Sequence, residues 1–319
     1  MLDERTVRAV QLTNQGTDRV TVIALARDVL ASNPSACDTH HCLLVLDHAG
    51  EPAEPPQHPT DASHASALID AGLHDEALEV LLRPDESAEH LFARGRFNQE
   101  QGHHDRAYAD FTAAGRAAEA GGITNPAVLP WRSAAALSAH DAGRPVVARS
   151  LAEAELVAAR RWGAPPAVGR ALHAVALTGD PARAVDHLTA AVQLLSTSAT
   201  SLLPARHNLA QALATRGSHA EAARTCAATQ AIARQLGCPL WIERTRELGE
   251  RLDRLSLLTP QESRTALLAC AMSNREVAAE VGVTTRTVEL HLSQVYRKLR
   301  VKGRRELSRV ILRLGVTPP

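Results

Sequence analysis

Between Arg286 and Lys302 the chain gathers side chains suited to holding a polyanion. Arg286, Leu290, Ser293, Gln294 and Arg297 recur at three- and four-residue spacing, so on a helix they share one face. Guanidinium groups donate to phosphate oxygens, and Ser and Gln side chains can donate or accept at base edges. The opposite face carries Val288, Leu292, Val295 and Leu299, spaced 4, 3 and 4, a stripe that faces a core. Such a helix is anchored by its apolar side and offers its polar side to a partner.

A second element must hold this helix at an angle. Ser273 and Asn274 are good N-caps ahead of Arg275-Glu276-Val277, and Glu276 stands three residues after Ser273, the spacing of a capping box. Val277, Ala278 and Val281 give the short helix one apolar face. Gly282 follows, where a helix ends and the backbone needs positive φ. Thr284 or Thr285 then caps the next helix. Helix, glycine turn and helix, at about 273–292, make a helix-turn-helix, whose second helix enters the major groove of duplex DNA.

The charge map agrees. The chain is neutral, with 35 basic and 35 acidic residues. From Leu257 to Pro319 there are 11 basic residues against five acidic, a charge of +6, so residues 1–256 carry −6. Both lysines, Lys298 and Lys302, lie in this stretch. A neutral total therefore hides a basic tail on an acidic body, and phosphate attraction acts on the tail alone. A solvated helix face would account for the charge by itself, but not for its coincidence with the helix-turn-helix pattern.

Residues 257–315 resemble the DNA-binding domain of LuxR/FixJ-type response regulators. The resemblance rests on Leu258-Thr-Pro-Gln-Glu262, Ser273-Asn-Arg-Glu-Val-Ala278, Val283-Thr-Thr-Arg-Thr-Val288, His291-Leu292 and Tyr296-Arg-Lys-Leu299, all in register. The run from Thr287 to Leu299 is similar to the MalT-like (LAL) subgroup. The resemblance implies four helices, at about Pro260–Ala271, Asn274–Val281, Thr285–Leu299 and Arg304–Leu314. By position it puts Glu289, Leu290 and Ser293 at base edges. It puts Arg286, Thr287, His291, Gln294, Arg297 and Lys298 at phosphates or the groove wall. It also implies a homodimer on DNA through the ridge Leu307, Val310, Ile311 and Leu314, although the plainer reading of that ridge is closure of the domain's own core. Two positions depart from the family. Glu289 stands where many members carry a basic residue; a carboxylate accepts from cytosine N4 but repels phosphate. Ala269-Cys-Ala-Met272 lacks a glycine that the family often has.

The body upstream is alanine-rich and has only eight aromatic residues, a composition that favours helix throughout. A short pattern recurs: Gly72…Ala77, Gly102…Ala107, Gly143…Ala148, Gly179…Ala184 and Gly217…Ala222, at intervals of 30, 41, 36 and 38 residues. In each, glycine ends one helix and the small alanine lets the next pack closely. The pattern resembles degenerate tetratricopeptide (TPR) repeats, with a generic helical bundle as the alternative. MalT-like regulators place a similar array before their DNA-binding domain. The expected fold is thus all-α, a TPR-like α-solenoid followed by a four-helix LuxR-type domain. Its parts are an N-terminal helical region at 1–50, which a further degraded repeat would also explain, a Pro-rich linker or loop at 51–62, the array at 63–253 and the DNA-binding domain at 254–319. Trp131, Trp162 and Trp241 read as packing residues between helices.

Other chemistries find little support. Cys37, His40, His41 and Cys42, with His48 nearby, invite a metal, but the spacing matches no common zinc pattern and no second Cys pair follows. No cofactor is expected. No phosphate loop, nucleophile elbow, zinc-protease motif or dinucleotide fingerprint occurs, so an enzyme is not expected, and the ATPase of the larger MalT-like regulators is missing from this sequence. Five scattered cysteines fit reduced thiols in the cytoplasm, with the protein on the bacterial nucleoid. No signal peptide or bilayer-length apolar run occurs. The expected partners are double-stranded DNA, a second copy of the chain, and an unknown protein or small-molecule effector at the array. The alternative is a protein-interaction adaptor whose DNA-binding domain has decayed, a reading that Glu289 favours.

Overall fold

The structure, a computed structural model, describes residues 2–32, 34–52 and 60–313. Most of the proline-rich segment expected at 51–62, and Leu314, lie outside the described residues. Among those described there are eighteen α-helices, one 3-10 turn and no strand. The chain divides into two compact units, Met1–Leu202 and Leu203–Pro319.

The first unit contains α1 (Glu4–Gln15), α2 (Arg19–Ala31), α3 (Ala36–His48), α4 (Asp61–Ala71), α5 (His74–Leu81), α6 (Ala88–Glu100), α7 (His104–Ala120), α8 (Trp131–Asp141), α9 (Pro145–Trp162), α10 (Pro165–Thr178) and α11 (Ala184–Leu194). The division falls inside α12 (Ala199–Thr215). From α6 to α11 each helix packs on its successor, and α4·α6, α6·α8 and α8·α10 also touch, which is the pattern of stacked antiparallel hairpins. The recurring sequence pattern explains the turns. Gly72, Gly102 and Gly143 adopt positive φ at helix ends, and Ala77, Ala107 and Ala148 are fully enclosed in the helices that follow. The instance at Gly179 departs: φ is −98°, Asp180 caps the 3-10 turn Pro181–Arg183, and Val185 rather than Ala184 is buried. Proline after Asp180 imposes the tighter turn and shifts the packing position by one residue.

Small residues let the helices approach. A Cβ on Gly115 would lie 2.3 Å from the Trp131 ring, so the indole occupies the place of a side chain on α7. Trp162 is 2% exposed and its Nε1 donates to the carbonyl of His48 at 2.8 Å. These two tryptophans are packing residues.

The N-terminal helices do not simply begin a linear stack. α1, α2 and α3 pack together as a small layer, and that layer meets Asn125, Trp162 and the start of α10. The buried Asn125 donates through Nδ2 to the Thr13 carbonyl at 2.7 Å and through its backbone to the Asn14 carbonyl at 3.0 Å. The end of α3 meets the start of α10, with Gly50 against Pro165 and Pro166. Sequence periodicity cannot foresee contacts across more than a hundred residues.

The second unit continues with α13 (His219–Gln235) and α14 (Pro239–Ser256), then α15 (Pro260–Leu268), α16 (Asn274–Val281), α17 (Thr285–Leu299) and α18 (Arg304–Arg313). α13 repeats the earlier turn, with Gly217 at φ +87° and Ala222 enclosed. The last four helices share one core, built on Leu258, Ala266, Leu268, Val277, Val288, Leu292, Val295, Leu307 and Ile311. Three of these form the stripe expected on α17. A buried polar contact joins the hairpin to this core: His219 Nε2 lies 2.9 Å from Ser263 Oγ, linking α13 to α15.

Candidate nucleic-acid interface

The interface is built from α16, the turn after it and α17. Ser273 caps α16, accepting from the Glu276 backbone, while the Glu276 carboxylate accepts from the Ser273 N–H at 2.7 Å. These bonds hold the Glu276 carboxyl below its ordinary pKa. Gly282 ends the helix at φ +73°, and Thr284, of the two candidates, caps α17 through the Thr287 N–H at 3.2 Å. Expected and observed bounds coincide for α16 and α17. α15 stops at Leu268, because Ala269–Met272 close a turn instead of a further helical turn. The apolar side of α17 is locked: Val288 and Val295 are fully buried and Leu292 is 3% exposed.

The outer side of α17 is open. Arg286, Glu289, Leu290, Ser293, Gln294 and Arg297 are all exposed. Leu290 is 58% exposed, a large apolar side chain held in solvent among polar ones. Ser293 Oγ donates to the Glu289 carbonyl at 2.8 Å, which leaves its oxygen able to accept. Arg297 reaches Gln294 Oε1 at 2.5 Å along the same face. Thr287 and His291 sit at the edges and are half-buried. Thr287 Oγ1 is 2.8 Å from Thr284 Oγ1, and His291 Nδ1 is buried without a hydrogen-bond partner.

Two basic residues of the tail serve the domain itself. Lys298 Nζ donates to Glu262 Oε2 at 2.5 Å, and Glu262 is only 7% exposed. Glu262 also completes a capping box with Thr259 at the start of α15. Burial would raise the Glu262 pKa, but the bonds from Lys298 and Thr259 outweigh it and the carboxyl stays below its ordinary value. Arg304 donates to the Met272 carbonyl and to Asn274 Oδ1, tying α18 to the start of α16. Neither pair was expected from the sequence, although Thr259-Pro-Gln-Glu262 has capping-box spacing. Arg275, Arg300, Lys302, Arg305 and Arg309 remain exposed around the interface. Arg300 ends α17 with φ +53°, one of two non-glycine residues with positive φ among those described.

The apolar ridge of α18 packs mostly inward, in keeping with closure of the domain's own core. Leu307 and Ile311, at 0% and 1% exposure, are enclosed in the domain's own core and present nothing to a second chain. Val310 is half-buried against that core, and Leu314 lies outside the described residues. Elsewhere, Cys37 Sγ lies 3.8 Å from His41 Nδ1, but among the described residues no three His, Cys, Asp or Glu side chains converge as metal ligands. No helix among them is long and apolar enough to cross a membrane.

Residues 256–311 match the family model described as bacterial regulatory proteins, luxR family. The match covers the last four helices and supports a DNA-binding helix-turn-helix regulator. No curated protein matches the chain.

Proposed function

We propose that this chain is a transcription regulator that reads duplex DNA with α17 and receives a signal or partner at the upstream helical region, read as a TPR-like array of MalT-like character. The outer face of α17 carries the reading. Leu290 at 58% exposure offers a methyl contact of the kind made to thymine, beside Glu289, Ser293 and Gln294 as hydrogen-bonding groups. Glu289, Leu290 and Ser293 face base edges. Arg286, Gln294 and Arg297 serve phosphates, with Thr287 and His291 at the groove wall. Lys298 contributes charge near the duplex while it holds Glu262. The chain acts as a dimer on DNA, and of the described ridge residues Val310 is the apolar one left partly open to a partner.

Selection from a random duplex library with the full chain tests the proposal. Enrichment of a two-fold-symmetric motif, with half-sites about 10 bp apart or a multiple, is expected. The exposed Glu289 favours the second reading, an adaptor with a decayed DNA-binding domain. Binding without enrichment of any sequence would favour that reading.

A further inference from the structure

The first unit holds a cleft of about 540 Å³ at the seam between the N-terminal layer and the stacked hairpins. Asp47, His48 and Glu51, at and after the end of α3, line one side. Arg170 of α10 and Ser198 and Ser201, around the start of α12, line the other. The volume falls within the ~300–1,000 Å³ typical of small-molecule sites, which favour such seams.

The charges in this cleft are unequally compensated. Glu51 is held by Arg19 at 3.2 Å and by Arg27 at 2.6 Å. Burial holds the His48 imidazole below its ordinary pKa, which favours the neutral form. Arg170 is different. Its Nε is buried without a hydrogen-bond partner, and its Nη2 reaches the Ala127 carbonyl only at 3.5 Å. The carboxylates whose charge reaches it are Glu155 and Asp47. Asp47 is exposed at the rim. Glu155 lies 3.8 Å from Arg132, and burial pushes its pKa up to about 7, so near neutral pH much of it is protonated. A desolvated guanidinium without a close carboxylate gains most from an incoming anion, and its planar fork suits carboxylate or phosphate oxygens.

We propose that this cleft is a binding site for a small organic anion, with the carboxylate or phosphate group taken by Arg170 and the remaining polar groups by the hydroxyls of Ser198 and Ser201. The site stands independently of the DNA-binding assignment. It is tested without DNA, so the two can fail separately.

Isothermal titration of the full chain with citrate and with inorganic phosphate, glycerol serving as the uncharged control, gives the test. Saturable one-site binding of either anion but not of glycerol is expected; citrate alone would mark a carboxylate site and phosphate alone a phosphoryl site. Arg170→Met should weaken binding about tenfold or more, the scale of a charged hydrogen bond. Asp47→Lys, a change at the exposed rim, should tighten it about threefold, and added salt should reduce that gain. Should Arg170→Met fail to fold, Asp47→Lys decides alone. The proposal is overturned if neither anion binds saturably, if a folded Arg170→Met binds as tightly as the parent, or if Asp47→Lys leaves the affinity unchanged.

Discussion

Arg297 and Lys298 are neighbours in the chain, yet their charges face different tasks. Arg297 is exposed on the outer face of α17, whereas Lys298 turns back to the nearly buried Glu262. Arg297→Ala should therefore weaken binding to every duplex alike and lower the salt slope by about one phosphate contact. Glu289→Gln or Leu290→Ala should instead change which sequence is preferred, read by repeating the library selection; a uniform loss for all three variants would contradict the roles. Lys298→Met should cost about 1–3 kcal/mol of stability, because it strands a carboxylate that burial already disfavours. Urea unfolding checks this, and an unchanged midpoint would show that the pair contributes nothing. The pair also sets a pH dependence. Glu262 is held below its ordinary value, so its contribution is complete at neutral pH. It is lost as pH falls from about 4.3 through the folded-state value.

At the scale of elements, α16, the turn and α17 were legible because each boundary has a local chemical cause: Ser273 with Glu276, Gly282, and the apolar stripe from Val288 to Leu299. Arg300 was not legible, since nothing in its type announces a left-handed helix end; neighbouring bonds such as Val301 N–H to the Tyr296 carbonyl at 2.9 Å impose it. Contacts between elements were hidden for a related reason. His219 and Ser263 lie 44 residues apart, and neither type signals a pair. Ser263 adjoins Glu262, which holds Lys298 of α17, so a chain of contacts runs from α13 through α15 to α17. A double-mutant cycle of His219→Ala and Ser263→Ala should give a coupling of about 0.5–1.5 kcal/mol, as for an ordinary hydrogen bond. Strict additivity would show that the hairpin and the DNA-binding core meet there without coupling.

Across the whole molecule, the hairpin stack was legible in the spaced Gly and Ala pairs, and the N-terminal layer was not. Its placement rests on single contacts such as Asn125 to Thr13 and Trp162 to His48, which carry no period in sequence. Buried histidines give both units a common response to acid. Burial lowers His173 of the first unit to about 4; in the second unit burial, aided by Arg244 and Arg251, does the same to His207. Stability is complete above the ordinary value of about 6.5 and falls as pH drops from there to about 4, by up to about 3 kcal/mol for each group. Glu155 opposes this in the first unit, because its raised pKa favours the folded state as pH falls from about 7. Hydrogen-exchange protection in the second unit should therefore fall as pH drops from 6.5 towards 4, and His207→Phe should delay that loss. A loss that the variant leaves unchanged would contradict this assignment. Whether α17 reads base sequence is decided by one titration. Binding of the full chain is measured on its selected duplex and on a scrambled duplex over a series of salt concentrations. Preference for the selected duplex by about 10³ or more, with log affinity falling linearly in log salt on both, is the result expected. Equal affinities at every salt concentration would reduce the interface to a basic surface and contradict the claim.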